Sequence, residues 1–300
     1  YTPYEAVADT DVTVTDTSDG SDASPNFGPD CQSTRGTCTL RAAIQRGNHQ
    51  IGTHTIRLVP GTHQITRVGR GDDDAEVGDL DIKGKFIIIG AGAKSTTING
   101  NNLDRVFDVH SGSLILQDLT VRGGFAQNDD GGGIRAKAPV TLNRVHLTSN
   151  VADLSGGGIY TEDDLSIVRS TISGNVAGDS LFDGGAIDAS FTGIIKHDVS
   201  IRESTIADNR SGGNAIYISG GRNIEIIHST IAKNHIDIDS ILNQPSGLGM
   251  QGFLIIPPKL TISHTIFDHG RERVGRNCIF VGTITTSFTK NVDRDGSCGF

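Results

Sequence analysis

Gly131-Gly-Gly-Ile-Arg-Ala-Lys137, Gly156-Gly-Gly-Ile-Tyr-Thr-Glu162, Gly184-Gly-Ala-Ile-Asp-Ala-Ser190 and Gly213-Asn-Ala-Ile-Tyr-Ile-Ser219 are four versions of one segment, recurring every 25 to 29 residues. A second segment follows each with a shared ending: Val145-His-Leu-Thr-Ser-Asn150, Ser170-Thr-Ile-Ser-Gly-Asn175, Ser204-Thr-Ile-Ala-Asp-Asn209 and Ser229-Thr-Ile-Ala-Lys-Asn234. Such a period marks a repeat architecture, in which one unit cannot bury its own apolar face and must stack on the next. Two or three short strands rich in Ile, Val, Leu and Thr, punctuated by glycine, use up that length. The pattern predicts an all-β chain, a single-stranded right-handed parallel β-helix. Each strand would lie about 4.8 Å from its equivalent one coil later.

Ile134, Ile159, Ile187 and Ile216 then form an inward ladder. Asn150, Asn175, Asn209 and Asn234 form another at a turn, where stacked amides satisfy backbone groups and each other, a structural role. Weaker rungs at Phe86–Ile89, Thr97–Asn99, Leu114–Val121, Leu260–Phe267 and Gly282–Ser287 extend the body to residues 55–290. Residues 1–54 are read as an N-terminal segment with a capping α-helix and 291–300 as a C-terminal cap, all in one structural domain. Caps are needed because an open end exposes core and unpaired backbone. In Thr37-Cys-Thr-Leu-Arg-Ala-Ala-Ile-Gln45, Thr37 or Thr39 can N-cap a helix, and Leu40, Ala43 and Ile44 share its apolar face.

With 39 Gly, one Met and no Trp, the 35% hydrophobic content suits an elongated body around a narrow aliphatic column. The net charge of −9 argues against nucleic acid, which needs clustered Lys and Arg, but permits a local basic groove. No apolar run approaches the roughly 18 residues of a membrane span. A first residue of Tyr1 fits a processed or trimmed chain. The four cysteines fall in two close pairs, Cys31/Cys38 and Cys278/Cys298, without zinc-ligand spacing. Two local disulfides are expected, and with them an oxidising, extracellular, periplasmic or cell-surface location. A monomer is expected.

Cys38-Thr-Leu-Arg-Ala-Ala-Ile44 resembles the Cys-Ser-Leu-Arg-Glu-Ala-Ile signature of large secreted bacterial β-helix proteins, which are pectate-lyase-like. Gly78-Asp-Leu-Asp-Ile82, the glycine-rich repeats, the Ser-Thr-Ile-Ser-Gly-Asn endings and Asp293-Arg-Asp-Gly-Ser-Cys298 resemble that group too. The repeats are further similar to those of polymorphic outer-membrane proteins. The resemblance spans nearly the whole chain and implies the fold and secretion. It leaves activity open, because related β-helices include polysaccharide lyases, glycosidases, epimerases and adhesins. Ala42 stands where the signature has Glu, which touches a cap interaction only.

Immediately after the inward isoleucine, an outward column reads Arg135, Tyr160, Asp188, Tyr217, with Asp108 one rung earlier and Gln251 one rung later. Two residues further, on the same face, stand His110, Lys137, Glu162, Ser190 and Ser219. Tyr rings stack on sugar faces, and Arg and Lys pair with carboxylates or sulfates. β-Elimination of a uronate polymer needs charge neutralisation at the carboxylate, a base and an acid. Arg135 and Lys137 are candidates for the first. Tyr160, its pKa lowered by those cations, is expected to act as base or acid, and His110 is an alternative base. Asp108, Glu162, Asp188, Tyr217 and Gln251 are the expected substrate-binding residues.

The leading expectation is therefore a secreted polysaccharide lyase acting on an acidic polymer such as alginate. The alternatives are a non-catalytic adhesin or glycan-binding module and, next, a glycoside hydrolase using Asp188 with Glu162. No cofactor is required by this reading, although Asp72-Asp-Asp-Ala-Glu76 with Asp79 and Asp81 has the oxygen donors that Ca2+ takes. Asn291-x-Asp293-x-Asp295-Gly296 imitates half a calcium loop, and Arg70-Gly71-Asp72 is read as a chance match to an adhesion tripeptide. A further column, Arg144, Arg169, Glu203, His228 and His264, is placed on another sheet as solvated surface, as is Lys196-His197.

Overall fold

The computed structural model describes residues 9–24, 31–178, 184–191, 197–236, 245–251, 259–268, 276–281 and 285–293. The chain is a right-handed parallel β-helix. Successive coils add one strand to each of three long sheets. Among the described residues the first sheet has ten strands, from Thr10–Val14 and Thr53–Leu58 to Thr285–Thr289. The second has nine, from Gly61–Gln64 to Val292–Asp293, and the third has eight, from Leu80–Ile82 to Arg276–Val281. Neighbouring strands are parallel and in register.

That register makes the core. Ile56, Ile88, Leu116, Leu142, Ile167, Ile201, Ile226 and Ile262 stack down the first sheet, all fully buried. Leu80, Phe107, Ile134, Ile159, Ile187 and Ile216 do the same in the third. Each such side chain contributes about 1.5–3 kcal/mol of transfer free energy. The glycines ahead of Ile134 and Ile159 are steric necessities, because coils pass each other there backbone to backbone. A Cβ on Gly157 would sit 2.3 Å from the Val176 carbonyl oxygen and 2.7 Å from that of Gly185.

The asparagine ladder has its expected structural role. Asn150 Nδ2 donates to Asn175 Oδ1 (3.0 Å), Asn175 Nδ2 to Asn209 Oδ1 (2.9 Å) and Asn209 Nδ2 to Asn234 Oδ1 (3.0 Å). Each Oδ1 also accepts the backbone N–H of the asparagine one coil earlier. The column of Arg144, Arg169, Glu203, His228 and His264 is corrected. These residues, with Asp118 and Lys290, occupy the turn between the first and second sheets rather than a sheet. All have φ between 50° and 55°, the left-handed conformation that turns the chain. Stacked on one another, they pair as Asp118–Arg144 (2.6 Å) and Arg169–Glu203 (2.8 Å).

The capping helix, α1, spans Leu40–Asn48, and Thr39 Oγ1 accepts the Ala42 N–H at 3.2 Å. Leu40, Ala43 and Ile44 are buried as expected, and Cys31 and Cys38 form a disulfide. Cys298, and with it the second expected pair, lies outside the described residues. Fully buried Arg41 donates from Nη1 to the Ala75 carbonyl (2.8 Å), from Nη2 to that of Gly78 (2.8 Å) and from Nε to Asp19 (2.6 Å). The helix thereby holds the loop that precedes the first strand of the third sheet. No helix among the described residues is long and apolar enough to cross a membrane.

Candidate active site

The outward face of the third sheet carries the site. Strand register aligns Asp81, Asp108, Arg135, Tyr160, Asp188 and Tyr217 in one column. Its neighbour carries His110, Lys137, Glu162, Ser190 and Ser219. Asp108 therefore stands where the repeat puts it, and Asp81, read first as part of an acidic loop, extends the column by one coil. Gln251 is corrected: it pairs with Ser219 and belongs to the second column, while Gly249 stands beside Tyr217. The long connection after Ser219 hides that register from residue counting.

Charge concentrates in the first three coils. Asp79, Asp81, Asp104 and Asp108 are each at most 3% exposed, and Arg105 is 7% exposed. Asp108 accepts from Arg135 through both carboxylate oxygens and from Arg105 at 2.9 Å. Asp129 takes the remaining reach of both guanidiniums, 2.5 Å from Arg105 and 2.8 Å from Arg135. His110 Nε2 lies 2.8 Å from Asp81 Oδ1, 3.7 Å from Asp108 and 3.9 Å from Asp73. Asp81 Oδ2 accepts the Ala75 N–H at 2.7 Å. Six carboxylates and three guanidiniums (Arg70, Arg105, Arg135) line a cavity of about 330 Å³ here.

This imbalance governs protonation. Burial raises the Asp79 carboxyl well above its ordinary range; the charges of Asp104 and Asp81 add to this and Arg105 opposes it. Burial pushes Asp81 up to about 6 against the hydrogen bonds from His110 and Ala75. Asp104 is also raised by burial. Burial works against the charge of Arg135, yet its hydrogen bond to Asp108 and the charges of Asp108 and Asp129 hold its proton more tightly than usual. The oxygen donors of Asp79, Asp81 and Asp108 lie within 4.8 Å of one another.

Further along the columns the electrostatics reverse the expectation for Tyr160. Its phenol pKa is raised, by burial first and then by Glu162, Asp130 and Asp188. The neighbouring cation does not compensate, because Arg135 is committed to Asp108 and Asp129. Tyr160 is therefore a neutral phenol, 3.5 Å from Glu162 Oε1. Asp188 is 1% exposed and accepts Ser190 Oγ at 2.6 Å, and Tyr217 beside it is buried, its own phenol also raised by burial. Lys137 is exposed at the edge of the charged coils.

Arg105, Asp104, Asp129 and Asp79 are the site residues that repeat counting misses, since they lie in connections or strand ends of variable length. Asp129-Asp130 directly before Gly131 is the one local signal. Asp72 accepts backbone N–H groups of Asp74, Glu76 and Val77, and Asp74 pairs with Lys83 at 2.7 Å. The acidic loop thus satisfies itself, and the converging donors are Asp79 and Asp81 with Asp108. Arg70 donates to the Phe125 carbonyl at 3.0 Å and stacks on its ring, so the adhesion-like tripeptide is tied down. Asn291 bridges Thr265 N and the Ile262 carbonyl, and Asp295 lies outside the described residues. His197 Nδ1 is 2.9 Å from Asp163, and Lys196 lies outside the described residues.

No family model and no curated protein matches this chain. Among solved structures it is similar to the crystal structure of pectate lyase Pel9A, with a TM-score of 0.48 and 12% identity over 97% of this chain and 80% of that one.

Proposed function

We propose that the protein is a secreted polysaccharide lyase that cleaves a uronate-containing polymer such as alginate by β-elimination on the outer face of the third sheet. The observation that carries this is the convergence of Asp79, Asp108 and Arg135 from three successive coils on one cavity, with Asp81 and His110 paired beside Asp108 and exposed Lys137 two residues beyond Arg135. A cavity this acidic repels a polyanion unless positive charge is added. The hard oxygen donors of Asp79, Asp81 and Asp108 suit Ca2+, which when bound would supply the charge that neutralises the substrate carboxylate. His110, held through Nε2 by Asp81, offers Nδ1 to take the proton beside that carboxylate. Lys137, one coil away at about 4.8 Å of strand spacing, protonates the departing oxygen. Tyr160, Glu162, Asp188 and Tyr217 follow along the two columns as the onward path of the chain, and the strand position of Gln251 continues the second column. The disulfide supports an oxidising compartment.

A glycoside hydrolase reading has its own support in Asp81, a buried acid near pH 6, next to Asp108, which two guanidiniums hold. One experiment separates them. The protein is incubated with alginate, pectate, hyaluronan and glucuronan, with Ca2+ or with EDTA, following absorbance near 235 nm and reducing ends together. Both signals rising, and both lost in Lys137→Ala, establish the lyase. Reducing ends without absorbance establish the hydrolase. Neither signal on any polymer refutes both and leaves the adhesin.

A further inference from the structure

His228 and His264 stand one above the other in the left-handed turn between the first and second sheets, at φ 50° and 52°. Backbone hydrogen bonds fix both positions, His228 N to the Ser263 carbonyl (2.9 Å) and His264 N to the Thr289 carbonyl (3.0 Å). Their rings lie 4.6 Å apart with planes inclined by 40°. Both are exposed, and neither ring makes a hydrogen bond or ion pair among the described residues. The rings of His54, His63, His110, His146 and His197, by contrast, are each held by a carboxylate, a hydroxyl or a carbonyl.

The pair also breaks the rule of its own ladder. Upstream, this turn pairs opposite charges, Asp118 with Arg144 and Arg169 with Glu203, so that each cation has an anion on one side. Two equivalent imidazoles follow, with Glu203 one coil before and Lys290 one coil after. An imidazole pair gains nothing from stacking as two cations. As neutral rings, each carries one lone-pair nitrogen, and rotation about the side-chain bonds can turn both toward one ion. Two imidazole nitrogens bound at about 2.0–2.1 Å to one ion, at an angle near 90–110°, put the ring centroids about 4.5–5 Å apart. The observed separation falls in that range without movement of the backbone.

We propose that His228 and His264 form a surface two-imidazole site for a borderline divalent transition metal ion of the Zn2+, Ni2+ or Cu2+ class. Neutral imidazole selects these ions over Ca2+ and Mg2+, so the site is chemically distinct from the oxygen-donor cavity on the third sheet. Two protein ligands leave the remaining coordination positions open to water or an added carboxylate, as in non-structural zinc sites. The Glu203 carboxylate, engaged by Arg169 at 2.8 Å, is near enough to favour the bound charge, and Lys290 opposes it.

The test is calorimetric titration of the full chain with ZnCl2 at pH 7.5, with excess CaCl2 present to occupy hard-donor sites. One equivalent should bind with a dissociation constant on the order of 10 µM. His228→Asn and His264→Asn should each weaken that binding at least about tenfold, as loss of one of two ligands requires. Their melting curves should match the parent, since both side chains are exposed. His110→Asn and His197→Asn should leave the same equivalent in place. Zinc binding that survives in both ladder variants, that disappears in His197→Asn instead, or that is weaker than about 1 mM overturns the proposal.

Discussion

Replacing Asn175 by alanine removes the centre of the amide ladder, and the structure allows the cost to be worked out. Asn175 is fully buried. Its Nδ2 donates to the Leu147 carbonyl (3.0 Å) and Asn209 Oδ1 (2.9 Å), and its Oδ1 accepts Asn150 N (3.1 Å) and Asn150 Nδ2 (3.0 Å). Four buried hydrogen bonds at a net of about 1 kcal/mol each give about 4 kcal/mol, and the orphaned Asn150 N–H and Leu147 carbonyl keep the total from falling below this. In a protein stabilised by about 5–15 kcal/mol the loss is large, worth roughly 6 °C in melting temperature for a chain of this size. Urea denaturation gives the free energy directly. Asn150→Ala, which removes three side-chain bonds, should cost about 3 kcal/mol, and the double variant about 1 kcal/mol less than the sum, because the bond between the two side chains is shared. Arg144→Ala, in the neighbouring turn but exposed and, among the described residues, ion-paired only to Asp118, should cost under about 1 kcal/mol. A loss of less than about 1 kcal/mol at Asn175 would refute the claim that the ladder holds the coils together.

Stability should depend on pH in an unusual sense. The raised carboxyls of Asp79, Asp81 and Asp104 favour the folded state while protonated, fully so below the unfolded value near 3.9, and this contribution is lost as pH rises through about 6 for Asp81. In EDTA, Asp81 should contribute about 1.3 kcal/mol more at pH 5 than at pH 7, against the loss on acidification from the lowered imidazoles of His54, His63 and His146, and Asp81→Asn should shift the difference between the two pH values by that amount in denaturant titrations. Below pH 4, protonation of the lowered carboxyls of Asp16, Asp118 and Asp198 takes stability away. On the polymer that the protein cleaves, Tyr160→Phe should retain turnover within about threefold, whereas Lys137→Ala and His110→Ala should each lose about 100-fold or more in steady-state assays. Gly157→Ala, which drives a Cβ into the backbone of the next coil, should lower stability by about 1–3 kcal/mol and broaden the melt.

Where spacing alone determines neighbours, residues are legible in the sequence. Ile134 and Ile159, or Asn150 and Asn175, are separated by one uninterrupted period, and strand register converts that period into contact. The same reasoning aligns Asp108 with Arg135 and His110 with Lys137. It fails where the connection changes length, as between Ser219 and Gln251, and where a strand stands apart from the repeats, as Thr10–Val14 does from Thr53–Leu58. It also fails for electrostatics. The effect of Arg135 on Tyr160 depends on whether that guanidinium is already neutralised. Asp129, which helps to neutralise it, reaches the site from a turn that no periodicity marks. The turn residues at Arg144 and His228 were visible as a column, but a column cannot tell a strand from a left-handed turn.

The arginine of the capping helix gives the molecule an assembly checkpoint. Arg41 grips the main chain of the loop from Ala75 to Asp79, and that loop leads directly into Asp81. A chain that has wound all its coils but not seated its first helix would own every groove side chain and yet present Asp79 and Asp81 on an unanchored segment. Closing the end of the solenoid and completing the cavity are consequently a single event. Damage to the terminus, far from the groove in sequence, would be reported there as lost chemistry before it was reported as lost fold.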